Sequence, residues 1–80
     1  MSQLARTPKQ LGAVIRRQRR KLGLTQGQLG ERAGLRQETI SLMEAGNPAN
    51  RLDTLLAVLA ALDLELQVAP RTGRVLEDLI

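Results

Sequence analysis

Side chains able to recognise a partner chemically are concentrated between Arg36 and Ser41, in the run LRQETISLME. Arg36 and Gln37 can each make paired, in-plane hydrogen bonds, a guanidinium by donating twice and a carboxamide by donating and accepting. Glu38, Thr39 and Ser41 add an acceptor and two hydroxyls. None of these makes a catalytic set. The chain has no His and no Cys, so the usual general base and the commonest zinc ligand are missing. Ser41 near Glu38 or Glu44 lacks a base and an orienting group. No metal or cofactor is expected, and the composition argues against an enzyme.

The elements that must position this run lie around it, in TQGQLGERAGLRQETISLME from Thr25 to Glu44. Thr25 with Gln28 three residues on is a capping box. Leu29 and Ala33 form the inward face of a short helix. Gly34 can take positive φ and turn the chain sharply. A second helical pattern follows at once, with Leu35, then Ile40, Met43 and Glu44, and ends at Gly46-Asn47-Pro48. Gly30 sits on the side of Leu29 and Ala33. Glycine within a helix costs about 1 kcal/mol relative to alanine, a cost worth bearing where another helix crosses closely. Two short helices meeting over a tight turn read as a helix-turn-helix, whose second helix enters the DNA major groove. An ordinary helical hairpin is the competing interpretation.

The 80 residues make one domain. A chain of that size buries only about 60% of its unfolded surface. With no Phe, Tyr or Trp, its core rests on aliphatic side chains, and self-association becomes a plausible source of stability. The net charge of +4 is uneven. Residues 1–51 hold ten Lys/Arg against three Asp/Glu, net +7, while residues 52–80 hold two against five, net −3. One surface is suited to a polyanion and another to a different partner. No apolar run is long enough to span a bilayer. The N-terminus lacks the apolar core of a signal peptide, so no membrane association and a cytoplasmic location are expected.

In chain order, residues 1–6 are expected to fray. Thr7, Pro8 and Gln10 mark a capped start for the first helix. Leu11, Val14, Ile15 and Leu22 lie on one stripe, interrupted by Gln18, and Gly23 stops the helix. Its other faces carry Arg16, Arg17, Arg19, Arg20 and Lys21. That basic run can be a solvated face or a set of phosphate contacts; its apolar face is narrow for a membrane-surface helix. Asn50 is the expected cap of a fourth helix, with Asp53 favouring its N-terminus. Leu52 to Leu62 is apolar nearly all round, so this helix should be buried on more than one side. Leu64-Glu65-Leu66-Gln67-Val68 alternates as a half-buried strand. Pro70 and the Arg71–Gly73 turn end it, and residues 75–80 form either a short helix or a tail.

These residues resemble the Xre (Cro/C1-type) helix-turn-helix family over residues 8–62, on the text LGLTQGQLGERAGLRQETISLMEAG, the preceding basic helix and the following LDTLLAVLAALDL helix. The segment TPKQLGAVIRRQRRKLGLTQ, the NPAN turn and the Leu-Glu-Leu strand are similar to the HipB-type antitoxins. The resemblance implies a mainly α, lambda-repressor-like domain of four to five helices. It also implies one C-terminal β-strand that pairs across a dimer. The implied organisation is an N-terminal arm (1–7), a DNA-binding domain (8–62), a dimerisation strand (63–69) and a tail (70–80). It implies a salt bridge between Arg19 and Glu44.

The implied function is a homodimeric repressor of double-stranded operator DNA, with a HipA-like kinase toxin as a possible partner. Base reading would fall to Arg36, Gln37, Thr39, Ser41 and Glu38. Gln37 suits adenine N6/N7 and Arg36 guanine O6/N7. Phosphate contacts would fall to Thr25, Gln26, Arg16, Arg17, Asn47 and Arg51. Leu64, Leu66 and Val68 would form the dimer interface. Two positions depart from the family pattern. Arg36 stands where a Ser or Thr cap is common, and cannot cap. Glu38 either accepts from cytosine N4 or serves the helix N-terminus. A regulator without a toxin, or a protein-interaction module of the same fold, remains an alternative.

Overall fold

In the computed structural model, residues 3–71 are described, and four helices follow one another within them: α1 (Pro8–Lys21), α2 (Gln26–Ala33), α3 (Gln37–Glu44) and α4 (Leu52–Ala61). The Thr72–Gly73 part of the expected turn and the short helix or tail at 75–80 lie outside the described residues.

Each start has a local cause. Thr7 accepts from the Gln10 backbone N–H at 3.0 Å and Pro8 opens α1. The expected box is displaced by one residue, because the Gln10 carboxamide accepts from the Arg6 backbone N–H rather than from that of Thr7. Residues 3–6, expected to fray, lie back along α1, with Gln3 accepting from the Arg17 guanidinium at 2.7 Å. Thr25 and Gln28 form the full capping box of α2. Arg36 begins α3 with no side-chain cap. The expected cap of α4 is corrected. Arg51 takes the N-cap position and its side chain caps nothing, while the Asn50 amide donates to the Asn47 carbonyl at 2.8 Å. The N-terminal end of α4 instead has Asp53 in its first turn, accepting from the Thr54 N–H.

The helix ends share one device. A residue with positive φ follows each helix at Gly23, Gly34, Gly46 and Asp63. Beside each, an amide reaches back across the last turn: Leu24 to Arg19, Leu35 to Gly30, Asn47 to Leu42 and Leu64 to Leu59. This left-handed closure satisfies carbonyls that the helix end would leave open.

Ile15, Leu29, Ile40, Met43, Val58, Leu59 and Leu62 form the buried core, with Leu11, Leu24, Leu35, Leu55 and Leu64 packed partly against it. Gln18 interrupts the apolar stripe of α1 as expected and is half-buried. Its amide donates to the Leu62 carbonyl, tying α1 to the end of α4. Two glycines allow helices to touch through backbone. A Cβ on Gly12 would sit 2.6 Å from the Met43 and Glu44 carbonyl oxygens, and one on Gly30 would sit 2.7 Å from that of Leu35.

Helix α4 departs from expectation. Val58 and Leu59 are buried, but Leu52 and Leu56 are 62% and 42% exposed, so one chain covers a single side of it. Residues 64–70 form no β-strand among the described residues. A strand is defined by a hydrogen-bonded neighbour, and four helices supply none. Leu64 packs on the core, whereas Leu66 and Val68 are exposed.

Candidate nucleic-acid interface

Helices α2 and α3 are joined by the three residues Gly34–Arg36. The turn is this tight because Gly34 adopts φ 71° and because Gly30 leaves room for the Leu35 carbonyl. Ile40, Met43 and Glu44 bury one side of α3. Gln37, Glu38, Ser41 and Leu42 are exposed on it, and Arg36 is exposed just before its first turn. Thr39 is half-buried and turned aside. The Gln37 carboxamide rests beside the first turn of α2, its oxygen 3.7 Å from where a Cβ on Gly27 would lie. Glu38 is in the first turn of α3, where its charge favours the helix N-terminus.

Glu44 organises the junction beneath. Arg19 donates to it twice, Nε to Oε2 at 2.7 Å and Nη2 to Oε1 at 3.0 Å. Gln26 adds a bond at 3.2 Å, and the third Arg19 nitrogen, Nη1, donates to the Leu24 carbonyl. Arg16 stands 3.9 Å away. The Arg19 and Glu44 side chains are only 10% and 3% exposed. The hydrogen bonds it donates to Glu44 raise the Arg19 pKa above its ordinary value, outweighing the lowering by burial, and the carboxylate's charge adds to the rise. The pair therefore fastens the last turn of α3 to α1 and to the start of α2.

Several other residues marked in the sequence converge on this junction. Arg16 and Arg17 line, with Lys9, Ala13, Glu44 and Ala45, an open hollow of about 390 Å³. Lys9 was not singled out by sequence, although it lies two turns before Arg16 on the same face of α1. Thr25 and Gln26 stand at the N-terminus of α2. Asn47 and Arg51 lie on the loop from α3 into α4. Asn47 Oδ1 accepts from the Ala49 N–H and Arg51 pairs with Asp53 in solvent. Leu42 is a second residue that sequence reasoning passed over. Its signal was an apolar residue out of phase with Ile40 and Met43. No cluster of His, Cys, Asp and Glu that could hold a metal occurs among the described residues. No helix among them is long and apolar enough to cross a membrane.

The geometry is that of a helix-turn-helix, and the chain belongs to the helix-turn-helix family, whose model matches residues 15–68. Among solved structures it is similar to a complex of a HipB point variant with an O2 20mer, with 29% identity and a TM-score of 0.79 over 86% of this chain and 96% of that one. It is similar, too, to a HipA–HipB–O2–O3 complex, at 29% identity and a TM-score of 0.78 over 85% and 96%. A HipB–O4 20mer complex matches with the same identity, TM-score and coverage as the latter. No curated protein matches the chain.

Proposed function

We propose that this chain is a sequence-specific DNA-binding transcriptional repressor. It acts as a homodimer on operator DNA and is the antitoxin of a HipBA-type operon, with a HipA-like kinase toxin as its protein partner. The observation that carries the proposal is the polar outward face of α3, held from behind by Ile40, Met43 and Glu44. The scaffold superposes on HipB bound to its O2 20mer and on HipB joined by HipA. It is a binding protein, not a catalyst.

In this reading α3 lies in the major groove. Arg36 reads guanine O6/N7 and Gln37 adenine N6/N7; Ser41, Glu38 and the hydroxyl of Thr39 complete the reading set. Thr25 and Gln26 hold phosphate at the N-terminus of α2. The Thr25 oxygen accepts from the Gln28 N–H and its own hydrogen remains to donate. One amide hydrogen of Gln26 goes to Glu44, leaving the second for a phosphate oxygen. Arg16, Arg17, Asn47 and Arg51 flank this row. Arg17 would exchange the uncharged acceptor Gln3 for a charged one, which makes a stronger bond.

The dimer is the finer part of the proposal. Residues 64–68 are to pair with the same segment of a second copy, burying Leu66 and Val68 and covering Leu52 and Leu56 of α4. Two-fold pairing puts both α3 helices on one face, for half-sites about one turn of DNA apart.

Selection from a pool of randomised duplexes, followed by binding at several salt concentrations, tests the proposal. A repressor yields a two-fold-related site bound about 10³-fold or more over random duplex, with affinity falling steeply as salt rises. Binding without preference, or insensitive to salt, refutes it. Co-expression with a HipA-like kinase tests the antitoxin half, with a stable complex as the expected result.

A further inference from the structure

Leu42 is 48% exposed on a helix of only eight residues. It takes no part in the core that holds Ile40 and Met43. Successive residues turn by about 100° around a helix. With Ile40, Met43 and Glu44 facing inward, the two residues furthest from that direction are Glu38 and Leu42, one turn apart. Gln37 and Thr39 stand on the two flanks. Of the other exposed large apolar side chains, Leu4 precedes α1, Leu22 follows it, and Leu52, Leu56, Leu66 and Val68 belong to α4 and to the segment after it. Leu42 alone puts a large apolar group at the summit of the face assigned to DNA. It can neither hold a phosphate nor hydrogen-bond a base. What the major groove offers such a side chain is the C5-methyl group of thymine.

We infer that Leu42 is a specificity-determining residue that reads a thymine methyl group one turn along α3 from Glu38. The inference rests on the DNA-binding reading above and deepens it. The methyl group leaves water against the leucine side chain. A cytosine at that position leaves the leucine uncovered, and a purine sets polar N7 against it. The gain is one methyl-sized group removed from water, a discrimination of about four-fold. It is weaker than a bidentate contact and directed at a different part of the base.

The test uses the full chain and the duplex it selects from a randomised pool. Each thymine in turn is replaced by deoxyuridine, which keeps every hydrogen-bonding group and removes only the methyl. Binding of the parent and of Leu42→Ala is measured on each duplex. The expected result is a thymine in each half-site whose replacement weakens the parent about four-fold and leaves Leu42→Ala unaffected. Leu42→Met, which keeps an apolar side chain there, retains the sensitivity. If every deoxyuridine effect persists in Leu42→Ala, or no thymine matters to the parent, the inference is overturned. It is overturned equally if Leu42→Ala, with parental circular dichroism, weakens binding uniformly on all duplexes. If the parent selects no duplex at all, the DNA-binding reading fails and takes this inference with it, an outcome distinct from the others.

Discussion

Glu44 and Arg19 illustrate how much one buried pair can organise. Removing one member strands the other charge in a site almost closed to water, at a cost of about 3–5 kcal/mol. Glu44→Ala should therefore lower the urea midpoint far more than a surface change. A double-mutant cycle with Arg19→Ala should return a coupling energy of about 1–3 kcal/mol; zero coupling would reduce the pair to two unrelated charges. The pH behaviour follows from the raised pKa of Arg19. Its contribution is fully present below the ordinary guanidinium value of the unfolded chain and is lost only as pH rises through the still higher folded value. The guanidinium's share should thus survive at pH values where a lysine would begin to discharge, and parallel melts of the parent and Arg19→Lys across the alkaline range check this. The pairing itself was indicated by the family resemblance, not by spacing, since the partners are 25 positions apart. Nothing in the sequence indicated that Leu24 and Gln26 would join them. Asn50 misled for a related reason. An Asn before an apolar run reads as a cap, but a neighbouring carbonyl, that of Asn47, took its side chain instead.

At the level of elements, the helix limits were legible wherever a cap or a glycine marks them: Thr7, Thr25, Gly23 and Gly34 all do in the structure what their types dictate. Gly12 was not legible. Alone, a glycine in mid-helix reads as a weak point; only the packing shows α3 backbone occupying the space of its missing side chain. Gly12→Ala should cost about 1–3 kcal/mol through overpacking. Gly27→Ala, whose new methyl meets nothing closer than 3.7 Å, should stabilise by up to about 1 kcal/mol. Chemical denaturation of both variants checks the contrast, and equal effects would contradict the packing described. Asp63 makes the same point at the end of α4. It holds φ 58° where the other helices use glycine, so Asp63→Gly should gain up to about 1 kcal/mol by relieving backbone strain, read as a shift in melting temperature.

The whole molecule carries its apolar surface unevenly. Alternation in residues 64–68 was visible in the sequence, but alternation specifies a pleated segment only when something lies beside it, and no such neighbour is present among the described residues. The nearly uniform apolarity of α4 was equally visible; a single chain covers one side of it. If a second copy supplies the missing cover, stability becomes concentration-dependent. Leu66→Pro, which deletes a backbone donor from the pairing, should give a monomer or an unfolded chain without tight operator binding. Sedimentation at micromolar concentration decides it: a folded monomer in the parent, or an intact dimer in Leu66→Pro, would falsify the arrangement.

The outward side chains of α3 are not the ones that fasten it. Gln37, Glu38, Ser41 and Leu42 are exposed, while Ile40, Met43 and Glu44 lie underneath. Mutational drift can therefore rewrite these four positions with little penalty in folding. A duplicated copy of the gene could acquire a new target in a few steps, its protein remaining folded at each. Related operons within one cell would then be insulated from cross-regulation by a handful of codons.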